Sequence, residues 1–452
     1  MIDRDVTIAF EEAPLSIARI HSPLLTLALV SCGGVAPEAS SPVALASTDD
    51  ALAAQAAGDD AELAERAITA LRRRGPAGLQ SLLSRHHEAV ARLRTEPPLA
   101  IDGELERVRH AIDIVSGQRD GHASGLYWHT DLDEARRQAE REGRPILSLR
   151  LLGRLDEEMS CANSRFFRLA LYADERVASH LRERYVLHWS SERPAPRITI
   201  DMGDGRTIVR TITGNSVHYV LEPSGRVADV LVGLYDAQGF LTRLADAAEL
   251  ERTCRGAPWS CIAAVHGARL GAQAAEWERR RAAGASVPSF TAMMQLAGEV
   301  AGDDEPSATV AMPLTVAKAV IETPMLRMMQ RGAALPPRAP ATEPDWRELA
   351  RGSRVQIALG AGSVALLSLK MRERDVSAMQ ARLALTAVAD GLRNEILFHA
   401  RLHAWLRDAG EAPAFASLNE RVYRELLRTP AADPWLGLRA DDLFDGIETA
   451  SR

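Results

Sequence analysis

At 452 residues, 46% of them hydrophobic and 25% charged, the chain has an ordinary globular composition and is long for a single core, so two or three domains are expected. A formal net charge of −7 leaves no basic excess to neutralise phosphates, which argues against a nucleic-acid partner. Its cysteines are Cys32, Cys161, Cys254 and Cys261, few enough to weigh one by one.

Residues 1–32 read as an export signal. The apolar run 23–30 is too short to span a membrane and leads into Ser31-Cys32-Gly33-Gly34. Leu29-Val30-Ser31-Cys32 is similar to the lipobox of bacterial lipoproteins, which implies acylation at Cys32 and attachment to the membrane through that lipid alone. The leader departs from this pattern in carrying Asp3, Asp5, Glu11 and Glu12 where a signal is basic. Residues 33–60, rich in Ala, Ser and Asp, suit a flexible tether. Residues 61–120 form a helical region. One helix carries Leu63, Ala67, Ile68 and Leu71, Gly75-Pro76 breaks the pattern, a second carries Leu79 to Leu93, and a third covers 105–115. His86 and His87 sit next to each other in the second helix and face different ways, so they do not share a metal.

From residue 121 to 250 the pattern changes. Trp128 precedes a helix with Leu132, Ala135 and Ala139 on one face, which ends at Gly143 before Arg144-Pro145. Residues 146–152 are short and mostly apolar, as in a strand buried within a sheet. A polar loop follows, and Cys161-Ala162-Asn163-Ser164 opens a helix, where the positive end of the helix dipole favours a thiolate. Next come a helix over 177–184, a strand over 185–189, a hairpin of strands 198–201 and 207–212, a second hairpin of 217–221 and 226–232, and a helix over 237–250. Asp201 and Asp204 belong to the turn of the first hairpin and lack the acidic loop that calcium needs.

The order tryptophan, alanine-rich helix, Arg-Pro, apolar strand, loop, Cys-x-x-Ser, strand, helix, hairpin, helix resembles the thioredoxin-fold family, particularly its extracytoplasmic bacterial branches. The resemblance covers under a third of the chain. It implies an α/β fold class, a central mixed sheet flanked by helices, between a helical N-terminal region and a large α-helical C-terminal region (251–452). It also makes Cys161 the catalytic candidate. Two departures bear on activity. Ser164 stands where a dithiol oxidoreductase has its resolving cysteine, and Val217 stands where the family has a cis-proline. If the fold holds, His218 is expected near Cys161, where a Cys–His pair could activate the thiolate; alkylation of Cys161 would then slow on His218→Ala. The alternative is that Cys161 packs as a small hydrophobe.

Cys254 and Cys261 flank a tight Gly- and Pro-containing loop, so a local disulfide is expected in exported protein. Beyond them the pattern is helical over 263–282, 289–301, 314–331 and 376–407, with a proline-rich connector at 335–344. The methionines at 293, 294, 312, 325, 328 and 329 have the spacing of core filling. Glu395, His399 and His403 share one helical face with Asp390 and Asn394 nearby. They could serve zinc or haem, or form a structural polar layer whose His399→Ala variant loses stability with no change in metal content. The tail is a helix over 418–427 and a Pro-rich turn around Trp435.

Three functions are open to such a chain. The first is a monothiol thiol–disulfide protein using Cys161, Ser164 and His218, on the periplasmic face of a bacterial membrane or at the cell surface. The second is a redox-inert module whose cleft around Asn163, Ser164 and Asn215 holds a protein or peptide partner in the envelope. The third is a metal or haem carrier built on the C-terminal stripe. The first two call for no cofactor.

Overall fold

Gly75 has a positive φ of 68° and Pro76 takes the first helical position after it, so the helical pattern breaks there as the residue types require. The computed structural model of the chain describes residues 42–95, 102–211, 214–283, 287–299, 346–352, 359–371, 376–427, 429–430 and 432. Cys32 with its leader, residues 33–41 of the tether, the helix expected at 314–331, the proline-rich connector and the turn at Trp435 lie outside the described residues. The remainder of the expected tether is not a flexible linker: it is helical over Pro42–Ala56, and Ala53, Ala56 and Ala57 are buried against the helices that follow. The sheet and the helices around it belong to the unit Leu45–Arg452.

The N-terminal helices are α1 (Pro42–Ala56), α2 (Ala61–Arg73), α3 (Pro76–Arg85), α4 (His87–Thr95) and α5 (Gly103–Ser116). Asp60 caps α2 by accepting from the N–H groups of Glu62 and Leu63. The helix expected through Leu79 and Leu93 is two helices. The chain bends at His86, whose ring nitrogen Nε2 is 2.8 Å from the Ala53 carbonyl. Leu71, Leu82, Leu105, Val108 and Ile112 form the core of this region.

After the short helix α6 (Gly121–Ser124) come β1 (Trp128–His129), α7 (Leu132–Glu142), β2 (Ile146–Leu152), α8 (Ala162–Phe166) running into a π-turn (Phe167–Leu171), and α9 (Glu175–Arg184). They are followed by β3 (Val186–Arg193), β4 (Arg197–Asp201), β5 (Thr207–Thr211), β6 (Ser216–Leu221), β7 (Val227–Val232), α10 (Ala237–Cys254), α11 (Trp259–Ala282) and α12 (Phe290–Glu299). Five strands make a mixed sheet in the order β1-β3-β2-β6-β7. The first three run parallel, β6 is antiparallel to β2, and β7 is antiparallel to β6. This is the mixed α/β architecture expected, with Ile146–Leu152 and Ser216–Leu221 as neighbours. β4 and β5 stand apart as a two-stranded ribbon. Among the described residues no helix is long and apolar enough to cross a membrane.

Both sheet faces are covered, which is why β2, β6 and β7 carry apolar residues at successive positions. On one face Ile146, Val217, Tyr219 and Val230 meet α7, α11 and the C-terminal helices. On the other, Leu147, Leu149, Val220 and Leu231 meet α8, α9 and α10. The C-terminal region contributes helices Trp346–Gly352 and Ala361–Met371, then Ser377–Arg393 continuing through a π-turn (Asn394–His399) into Ala400–Asp408. The final described helix is Phe415–Arg421, again followed by a π-turn, Val422–Leu426.

Candidate functional site

Cys161 is the N-cap of α8. Its sulfur accepts the backbone N–H of Ser164 at 3.4 Å, so the favourable end of the helix does point at the thiol. The thiol is also fully buried. It shares an apolar cluster with Leu152, Val217, Tyr219, Val422 and Tyr423. The Ser164 hydroxyl turns away to the Arg154 carbonyl, 3.2 Å off.

His218 does not pair with Cys161, contrary to expectation. Side chains alternate along a strand, and it is Val217 and Tyr219 that face the cysteine. His218 points to the opposite face of the sheet, with its ring centroid 4.9 Å from that of Phe167 and 5.0 Å from that of Phe240. Its Nε2 shares a 2.7 Å hydrogen bond with the Tyr172 hydroxyl. Burial pushes the imidazole down to about 3, so it is a neutral core residue.

The cleft around Asn163, Ser164 and Asn215 is filled by the chain itself. Asn215 Nδ2 donates to Thr429 Oγ1 at 2.8 Å and to the Leu427 carbonyl at 3.4 Å. Tyr219 donates to Asn419 Oδ1 at 3.0 Å, and the Arg150 guanidinium lies 4.7 Å from the centre of the Phe415 ring. Asn163 Nδ2 donates to Ser216 Oγ at 2.6 Å. Gly214 has to be glycine here, because a Cβ would stand 2.9 Å from Asn163 N and Oδ1. Closing the cleft leaves Asn163 Oδ1 and Tyr423 Oη buried without hydrogen-bond partners.

A second cluster lies where β7, α11 and the long C-terminal helix meet. It contains the stripe read from the sequence: Glu395 Oε1 is 3.3 Å from His399 Nδ1, and the His399 and His403 rings are 5.6 Å apart. Asn394, named with the stripe, donates instead to the Leu234 carbonyl at 3.0 Å, and Asp390 is buried. Three members, Asp229, Tyr235 and His266, were not found from the sequence. His266 Nδ1 is 2.9 Å from His403 Nδ1, and its Nε2 is 3.0 Å from the Ala228 carbonyl. Asp229 takes the Val230 N–H at 2.8 Å on Oδ1 and pairs with Arg269 through Oδ2. Tyr235 Oη lies 3.1 Å from His399 Nε2. Burial alone would raise the Asp229 carboxyl, but the Arg269 guanidinium paired with it holds it well below the usual range. Burial lowers both His266 and His403, the latter to about 3. An available signal was Asp229 itself, a carboxylate inside an otherwise apolar strand.

Cys254 and Cys261 stand at disulfide distance, with Cα atoms 5.7 Å apart, across the turn from α10 to α11. A cleft lined by Tyr127, His129, Gln138 and Arg144 has a volume of about 130 Å³ and lies at the β1–β3 edge of the sheet. That is below the roughly 300–1,000 Å³ of small-molecule sites. Comparison with protein-family models, curated proteins and solved structures found no match for this chain.

Proposed function

We propose that the chain is a redox-inert, thioredoxin-like binding module, exported and lipid-anchored through Cys32, that acts by holding a protein or peptide partner and not by thiol chemistry. The β1-β3-β2-β6-β7 order and a cysteine at the first turn of the helix after β2 support the thioredoxin-like reading. The oxidising compartment that export implies suits a Cys254–Cys261 disulfide and leaves Cys161 the remaining thiol.

The observation that carries the proposal is the full burial of Cys161 under the C-terminal helix. A thiol with no access cannot attack a disulfide, whatever the helix dipole does to its thiolate fraction. The histidine expected to activate it, His218, is engaged with Tyr172 on the opposite face of the sheet, and Cys254 and Cys261 stand at disulfide distance from each other. The cleft in which such a module would hold a peptide is taken by the chain's own residues up to Thr429, so a partner must either displace that segment or read the composite surface it makes. Insulin-reduction and glutathione-exchange assays are expected to show no turnover above buffer. Exchange at a rate that Cys161→Ser abolishes would defeat the proposal.

A further inference from the structure

We infer that Asp229, His266 and His403 form a binding site for a divalent first-row transition ion, zinc in the first instance, that fastens the two C-terminal helices onto the edge of the sheet. The three residues come from a strand, α11 and the helix Ala400–Asp408, far apart in sequence, and each is buried. Each offers one ligand atom, and these atoms all lie within 4.8 Å of one another.

The hydrogen bonds set the imidazoles up as ligands. His266 Nε2 faces the Ala228 carbonyl and must carry the proton there, which leaves Nδ1 as a bare lone pair. That lone pair points at His403 Nδ1, 2.9 Å away. Ligand distances of ~2.0–2.1 Å to zinc place neighbouring ligand atoms roughly 2.9–3.3 Å apart, from right-angle to tetrahedral geometry. The two nitrogens are therefore already at the spacing of ligands to one ion. They are too close to be axial ligands on opposite faces of a porphyrin, which removes haem from the choice. Asp229 uses one lone pair on each oxygen, for Val230 N–H and for Arg269, and keeps the others. Two imidazoles and one carboxylate match borderline ions such as zinc, not calcium or magnesium.

His399 is outside the ligand set. Its nitrogens face Tyr235 and Glu395, one turn before His403. The π-turn Asn394–His399 is the irregularity in the helix that carries both histidines, immediately before the ligand. The ordinary alternative is a single N–H···N hydrogen bond between His266 and His403, with no ion at all.

The test is titration of metal-stripped full-length protein with Co²⁺, followed by visible d–d absorption, and with Zn²⁺ in competition. The expected result is one equivalent bound with a dissociation constant below about 1 µM. Asp229→Asn and His403→Asn should each weaken binding at least about a hundredfold, with His399→Ala within about threefold of the parent. If the ligand variants fail to fold, X-ray absorption of the zinc-loaded parent decides, with nitrogen and oxygen ligands and no sulfur expected. No stoichiometric uptake at about 100 µM by folded parent protein would overturn the inference. So would sulfur ligation, or binding indifferent to both substitutions.

Discussion

Asp120→Asn is expected to lower the free energy of unfolding by about 3–5 kcal/mol. Asp120 joins the loop after α5 to the rest of the molecule. It is buried, and its Oδ2 accepts from the equally buried Arg168 at 2.8 Å. Its Oδ1 lies 2.9 Å from Lys370 Nζ on the helix Ala361–Met371. Burial alone would raise this carboxyl, but Arg168 and then Lys370 outweigh it and hold the group well below the ordinary range. Asparagine tolerates the left-handed backbone at this position, φ 60°, so the substitution removes the charge and spares the conformation. It leaves Arg168 as an uncompensated charge in the interior. Arg168→Met should cost less, because Asp120 keeps Lys370, while Lys370 also has Glu158 at 3.1 Å. The double variant Asp120→Asn/Arg168→Met should fall short of the sum by about 1–3 kcal/mol, since no buried charge is then left alone. Denaturant unfolding of the four proteins measures this, and strict additivity would contradict it.

Acid should destabilise the fold with a proton count that substitutions can shift. Burial holds His218 and His188 at about 3 and His122 at about 4, against 6.5 for the free side chain. Below pH 6.5 the unfolded chain takes up protons that the folded chain refuses. Each such histidine therefore contributes stability that is present above 6.5 and lost as pH falls towards its folded value, at ~1.4 kcal/mol per pH unit. Asp113 runs the other way. Burial, with Asp120 adding, raises it to about 7, so its contribution is present at low pH and is lost as pH rises from about 4 to about 7. His218→Gln, which can still accept from Tyr172, should reduce the slope of stability against pH between about 4.5 and 6 by ~1.4 kcal/mol per unit. Asp113→Asn should increase it by a similar amount. Unfolding series at fixed pH values check both, and unchanged slopes would refute the assignment of His218 as a neutral core group.

The sheet was legible because its central strands are buried on both faces and so read as short apolar runs: Ile146–Leu152 and Val227–Val232 are found this way. β1 was not, since two residues cannot show a period. The helix opened by Cys161 was equally clear. What misled was the step from neighbouring in sequence to neighbouring in space: His218 adjoins Val217, but the alternation of a strand sends the two to opposite faces. The Glu395, His399 and His403 stripe was visible because one helix carries it. Asp229 and His266 were not connected to it, since nothing local in a strand at 229 or a helix at 266 says that folding brings them to His403. The C-terminal helix could be read from its pattern, while the face of the sheet on which its apolar side chains dock, and the Asn215 to Thr429 bond beside them, join residues far apart in sequence that no local pattern connects. The lipobox at Cys32 falls on residues outside those described.

The access of Cys161 separates a binding module from a thiol enzyme, and its alkylation rate measures that access directly. In native protein the fully buried thiol becomes available only when the apolar core it shares with Tyr423 and its helix opens. An opening free energy of ~4 kcal/mol would slow alkylation about a thousandfold relative to the denatured chain. The predicted result is slowing of that order, unaffected by His218→Gln, largely lost in Tyr423→Ala and retained in Tyr423→Phe. Alkylation of the native protein within about tenfold of the denatured rate would contradict the binding-module assignment, because the thiol would then be open to substrate.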